Sequence, residues 1–555
     1  MSASTKNARS SKANYTFAYG EQAIRSSAVA ARHPGFAAFA SLVFGTGRRL
    51  VGSLTIVFDG HVCQFGVPRD KDAEFLTAIH RNNAPPEPTD DVVDPREVCG
   101  FDFDDVNLGL ALDDSRRYPR PVLRDDAPGR WVHPVVKVHS ARFFTRLLTQ
   151  RNLGVGEAFL AGEFEMLRGA VNHFLGFLLI NDIDRSVKLP LREQARLLRM
   201  YAAGRMRRSH NEDIAHHYDM GDNVMVPMLG ATGCYSCGYM ENENDSLDQM
   251  QLNKMNLIFS KMQLRPNARI LDTGCGNGGM LVHAATAWGA RGEGFTNSHN
   301  MASLARRNAE RNGVGDKVKI HHADFSLLAS YPENHFDAIY EVGVWEHLPF
   351  HTYEEVMRQC WRILKPSGRM LIHSMGSHTA KHRRDGYIQK YIFRDSNQIR
   401  LHLLLDEACK LDMYVGDVEN LGRHYYWTLW YWRENLLKAA EQDPSIRDRD
   451  LKVMIYFLEC GMAESRFGNG SVYHVLLFKD ARNYRNTWRV DGRVHEDGRG
   501  NSQNRPLVMK PSSGNDHVFN DPHAKAKEDA VVYQKPTLPK RLAHLADILL
   551  RVGHH

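Results

Sequence analysis

The chain has 555 residues, 43% hydrophobic and 25% charged, with 71 Lys+Arg against 65 Asp+Glu and a net charge of +6. This composition fits a globular protein with room for two or more domains, and so mild a charge excess calls for no nucleic-acid partner. Eight cysteines are too few for a disulfide framework, and the longest apolar runs, around residues 36–44 and 174–180, are too short to span a membrane. Reduced thiols and a cytoplasmic setting are therefore expected.

The first twenty residues are rich in Ser and Ala and carry Lys6, Arg9 and Lys12 without an acid. They read as a disordered basic terminus reaching residue 35, with an organelle presequence as the alternative. A first domain is expected over 36–190. In it Gly52-Ser-Leu-Thr-Ile-Val-Phe58 reads as a strand, Asp59-Gly60 as a turn, and His61-Val-Cys-Gln-Phe-Gly66 as the returning strand. Residues 84–126, rich in Pro and Asp at their start, read as an inserted loop. A short strand is expected at 135–138 and a helix from Arg142, and the glycines of 153–164 interrupt a helical pattern where backbone must pass closely. Residues 189–208 are helical in pattern and end on Arg205, Arg207 and Arg208.

A second domain is expected over 191–482. Helical patterns there alternate with apolar runs at 268–271, 292–295, 317–321, 336–340 and 369–372, which argues for a parallel sheet covered on both faces. Residues 483–555 read as disordered until Leu542, Leu545, Leu549 and Val552 share one face beside Lys540, Arg541 and Arg551. Such a helix can lie on an anionic membrane or dock on protein. Cys234 and Cys237 form a C-x-x-C pair without a second pair at zinc spacing, and no metal is expected.

The chemistry centres on Ile270-Leu-Asp-Thr-Gly-Cys-Gly-Asn-Gly-Gly279, an apolar strand closed by Asp272 that enters a glycine turn and then a helix. Doubly wound α/β domains bind nucleosides at such a turn. A dinucleotide site would show G-x-G-x-x-G and an acid after the second strand. Here the glycines are packed closer, and the second strand ends in Gly294-Phe-Thr-Asn-Ser298, with hydroxyls in the acid's place. That pattern suits S-adenosyl-L-methionine, which has no pyrophosphate to cradle. In His322-Ala-Asp-Phe325, Asp324 either accepts from the adenine amine or caps a turn.

At this point the chain resembles the cyclopropane-fatty-acyl-phospholipid synthases and the related mycolic acid cyclopropane synthases. The resemblance runs from about residue 50 to 480. It rests on His217-Tyr-Asp219, Tyr235-Ser-Cys-Gly-Tyr239, the glycine turn, Gly294-Phe-Thr-Asn-Ser298 and Glu346-His347. Leu371-Ile-His373, Tyr391-Ile-Phe393, Val418-Glu-Asn-Leu-Gly-Arg-His-Tyr425, Thr428-Leu429 and Trp432 complete it.

The resemblance implies a class I S-adenosylmethionine methyltransferase sheet, Rossmann-like, behind a small α+β domain with a sterol-carrier-like fold that presents membrane lipid. It implies that a cis alkene of an unsaturated phospholipid attacks the sulfonium methyl, and that the resulting cation loses a proton to a bound bicarbonate and closes a cyclopropane ring. The bicarbonate would be held by Cys237, Glu346, His373 and Tyr425, with the backbone of Met375, and Glu346 is expected to have a raised pKa. The cofactor would be held by Tyr235, Ser236, Asp272, Gly274, Gly276, Thr296, Ser298 and Asp324. The protein would be peripheral at a membrane, with Arg205–Arg208 suited to headgroups and room left for a homodimer.

The chain departs from the family at Asn277 (usually Trp), Met301 (usually Gln), Leu348-Pro349 after Glu346-His347, and Trp427 (usually Arg). These departures keep other outcomes open: a methyl or methylene branch without ring closure, methylation of a small amine, or lipid binding without catalysis.

Overall fold

The structure, a computed structural model, describes residues 16–45, 50, 52–66, 134–186, 222–242, 244–377, 385–393, 398–468 and 470–480. The insertion at 84–126, the arginines at 205–208, the motif at 217–219 and the tail from 483 lie outside the described residues. The chain divides into two compact units: residues 1–200 with 385–388 and 452–468, and residues 201–384 with 389–451 and 469–555.

The first unit holds a five-stranded sheet of β1 (Thr16–Tyr19), β2 (Ser53–Phe58), β3 (His61–Gly66), β4 (Val135–Val138) and β5 (Phe164–Arg168), in the order β1-β3-β2-β4-β5. The β2–β3 hairpin turns through Asp59 and Gly60, both at positive φ (46° and 72°), as a two-residue primed turn requires. Its core is built from phenylalanines. Phe36 packs on Phe144 with ring centroids 5.3 Å apart, Phe39 on Phe65 at 5.6 Å, and Phe143 on Phe144 at 5.1 Å, all edge to face.

Two expectations change here. Residues 16–35 are not disordered: β1 pairs in parallel with β3, and the helices Gly20–Arg25 and Ala28–Arg32 follow. Ile24 and Val29 are fully buried, and the Ser27 hydroxyl caps the second helix by accepting from Ala30 N–H. Alanine, which reads as low-complexity filler, is the strongest helix former. The helix Asn152–Leu160 also runs unbroken through Gly154 and Gly156. A Cβ on Gly156 would stand 2.2 Å from the Tyr387 ring, so this glycine serves close approach within a helix.

The second unit holds β6 (Arg269–Asp272), β7 (Arg291–Thr296), β8 (Val318–His322), β9 (Phe336–Val342), β10 (Leu364–Ser377), β11 (Ile399–Arg400), β12 (Tyr414–Asn420) and β13 (Gly470–Phe478). Their order is β12-β13-β10-β9-β6-β7-β8, with β11 beside β10. The neighbours from β10 through β8 are parallel, and β13 runs antiparallel to both β10 and β12. The five parallel strands are those expected from the sequence.

Alternation sorts the strand residues onto two faces. Ile270, Tyr340, Leu371 and Leu476 join Met255, Phe259, Leu281 and Ala302, from the helices Leu247–Lys261, Gly279–Ala287 and His299–Arg311. Leu271, Ile339, Ile372 and Val475 join Met357 and Leu404, from Tyr353–Ile363 and Leu401–Lys410. This is the doubly wound α/β arrangement, and its strand order reverses between β6 and β9. Ligands bind outside the carboxyl ends of the strands at such a reversal.

Candidate active site

β6 delivers Asp272 to that reversal. Its Oδ1 accepts from Gly274 N–H at 3.0 Å, which tightens the turn. Burial pushes its carboxyl up to about 7, against the Gly274 N–H, the Tyr340 hydroxyl and Lys254. Gly276 and Gly278 sit at φ of 48° and 77°, the left-handed region. A Cβ on Gly276 would meet nothing within 4 Å, so the turn fronts open space. At the end of β7, Thr296 Oγ1 accepts from Ser298 N–H, and Ser298 Oγ accepts from Met301 N–H to start the next helix. Both hydroxyls keep a proton to donate. Asp324 caps the short 3₁₀ helix Phe325–Ser330 by accepting from Ser326 N–H at 2.9 Å, the turn role weighed for it above.

Open space at the glycine turn, flanked by two hydroxyls, fits S-adenosylmethionine. Asn277, in place of the family's tryptophan, has a local role. Its Nδ2 donates to Thr232 O and Gly233 O, and its Oδ1 accepts from Gly279 N–H. It ties the glycine turn to the loop before Tyr235.

That loop is fixed from below by Lys254. The buried ammonium donates to Ser236 Oγ at 2.8 Å and to Gln251 Oε1 at 2.7 Å. Burial lowers its pKa, while the Asp272 carboxylate acts the other way. Gly238 N–H donates to Thr428 Oγ1 at 2.9 Å, and the Tyr235 ring lies 5.0 Å from Trp432. The Cys237 thiol donates to Gly238 O at 3.1 Å, and burial pushes its pKa up, so it stays a neutral thiol.

Glu346 sits in a single 3₁₀ turn, Trp345–His347, just beyond β9. Its Oε2 accepts from Ser374 Oγ at 2.5 Å, and Met375 N–H also stabilises the charged form. Burial outweighs both and raises its pKa to about 7. Beneath it, Glu341 Oε2 accepts from Val344 and Trp345 N–H at 2.9 and 3.3 Å, holding the backbone that carries Glu346. Tyr425 lies in the first turn of the helix Gly422–Gln442, with its hydroxyl 3.9 Å from Met375 Sδ. Burial raises its pKa, and the Glu346 carboxylate adds to the effect. His373 stands on β10 on the same face as Met375; burial, with Lys254 and Lys261, holds it well below the ordinary imidazole range.

The charge of Glu346 thus reaches Tyr425, and that of Lys254 reaches both Cys237 and His373. The sequence reading missed Lys254, Ser374 and Glu341. Lys254 lies on a helix buried on nearly every side, so no apolar stripe marks which polar residues turn inward. Ser374 could have been found, being next to His373 on an expected strand.

A sheet in this order, with a glycine turn after its first strand and hydroxyls after its second, defines an S-adenosylmethionine-dependent methyltransferase. Residues 205–475 match the family model described as mycolic acid cyclopropane synthetase. A probable fatty acid methyltransferase of Pseudomonas putida is 30% identical over 289 residues, covering 49% of this chain and 72% of that one. The cyclopropane-fatty-acyl-phospholipid synthase of Escherichia coli is 29% identical over 354 residues, covering 63% and 88%. A probable fatty acid methyltransferase of Mycobacterium tuberculosis is 31% identical over 273 residues, covering 48% of this chain and 62% of that relative. The chain belongs to the mycolic acid cyclopropane synthetase family. Among the described residues, no helix is long and apolar enough to cross a membrane.

Proposed function

We propose that the chain converts a cis double bond of an unsaturated phospholipid acyl chain into a cyclopropane ring, working peripherally at a cytoplasmic membrane surface. The observation that carries this reading is the buried carboxyl of Glu346, poised near 7 and set among Ser374, Met375 and Tyr425. Transfer to an amine needs no such group, because the amine loses its own proton readily. Ring closure does need it, because a proton must leave carbon inside an apolar pocket.

Tyr235, Ser236, Asp272, Gly274, Gly276, Thr296, Ser298 and Asp324 would hold S-adenosylmethionine, which supplies an electrophilic methyl group. The remaining work belongs to the chain. Asp272 shapes the turn. Lys254 holds the Tyr235–Ser236 loop in place. The Tyr425 hydroxyl and His373 would donate hydrogen bonds to a small anion, for which bicarbonate is the species of matching basicity. Cys237 would close the pocket as a neutral thiol, and ionised Glu346 would be placed to take up a proton. The first unit would present the lipid.

Two of the relatives above are named as fatty acid methyltransferases, which favours a second reading: a methyl or methylene branch without ring closure. Mass spectrometry of lipids from cells expressing the chain separates the two. A gain of one methylene on unsaturated species that survives hydrogenation supports the ring. The same gain on species that still take up hydrogen supports the branch, and no gain defeats both.

A further inference from the structure

β13 brings a second histidine to the site. His474 stands in register opposite His373, and His373 Nδ1 lies 2.8 Å from His474 Nε2. Both are buried, at 2% and 0% exposure. At that separation one nitrogen must carry a proton and the other a lone pair. Both rings are neutral. Burial comes first for each, then Lys254 and Lys261 for His373, and Lys261, His373, Lys254 and His424 for His474. Glu419 is also in register with His474, on β12, but its carboxylate binds Lys261.

Two arrangements remain. If His373 carried its proton on Nδ1, neutral His474 would carry its own on Nδ1, an atom that is buried and has no hydrogen-bond partner. If His474 carries its proton on Nε2, that same atom is a lone pair. A buried orphan N–H is rarer than an under-satisfied acceptor.

We infer that His474 is a positioning residue: it donates from Nε2 to His373 Nδ1 and so keeps the proton of His373 on Nε2. His373 is thereby a fixed hydrogen-bond donor to the anion, and it is unavailable as the base. The tautomer stands on the geometry and burial of the pair, and only its use toward an anion rests on the function proposed above.

Nitrogen-15 NMR of the full chain, labelled on its histidine rings, tests the assignment, with the His373 signals identified by their loss in His373→Gln. The expected result is a proton on Nε2 and a bare Nδ1 on His373. In His474→Phe that preference is lost, and kcat falls about 10- to 100-fold, the usual scale for a residue that orients a site ligand. In His474→Gln, whose amide N–H can replace the lost donor, the tautomer and most of the rate return. A proton on His373 Nδ1 in the native chain overturns the inference, as does an unchanged tautomer in His474→Phe. If His474→Phe does not fold, the native and His474→Gln spectra decide. If the tautomer is as expected but His373→Ala, which has no donor, keeps full activity, the proposed function fails while the pairing stands.

Discussion

The two units bury different kinds of side chain. The first fills its described core with phenylalanines in edge-to-face contact, and two acids within it, Glu459 and Asp385, are tied down. Glu459 accepts twice from Asn172, at 2.6 and 2.7 Å. Asp385 accepts from Asn152, Tyr387 and Ile388. The second unit buries Lys254, Asp272, Glu341, Glu346, His373 and His474 around one set of strand ends, and two of these carboxyls are poised near 7. Burying ionisable groups costs stability, and a protein keeps them where chemistry needs them. The contrast marks one unit as scaffold and the other as reaction centre.

The strongest challenge to that contrast is Glu346→Gln. If the polar core exists for chemistry, kcat falls about 10²- to 10⁴-fold while S-adenosylmethionine binding by calorimetry is unchanged. Equal loss of binding would make Glu346 structural. Next is Phe144→Ala in the first unit. It should cost about 3–5 kcal/mol in urea denaturation, because the residue is fully buried among rings. A cost below about 1 kcal/mol would show that the phenylalanine cluster is not what holds that unit. Gly294→Ala sharpens the comparison inside the second unit. Its Cβ would stand 2.6 Å from Leu281 and 2.8 Å from Cys275, so a loss of about 1–3 kcal/mol is expected in the same assay.

The smallest effect is in pH. In the proposed function ionised Glu346 is the active form, so kcat/KM should rise through about pH 7, and this inflection should disappear in whatever rate Glu346→Gln retains. Stability runs the other way. The folded chain holds a proton that the unfolded chain releases near 4.5, so the contribution is complete below about 4.5 and is lost as pH rises to about 7. A stability profile that is flat across that window would contradict the raised value.

Much of this was legible in the sequence. The hairpin at Asp59-Gly60, the parallel strands, and the placement of Asp272, Thr296 and Glu346 near strand ends follow from apolar runs and glycine positions. These are local signals. The first helices escaped notice because short alanine-rich segments carry little periodicity. Lys254 escaped because its helix has no solvent face. The partnership of His373 with His474 escaped because it spans 101 residues and exists only through the pairing of β10 with β13. Sequence shows which residues could do chemistry; only the sheet shows which of them can share a proton.

The insertion of β13 between β10 and β12 also sets an order of events during synthesis. Every parallel strand is made before it, yet β12 has no sheet neighbour among the described strands except β13. The nascent chain can assemble the glycine turn early. The histidine pair and this edge of the sheet can form only once residues 470–478, one of the last described segments to be made, have left the ribosome.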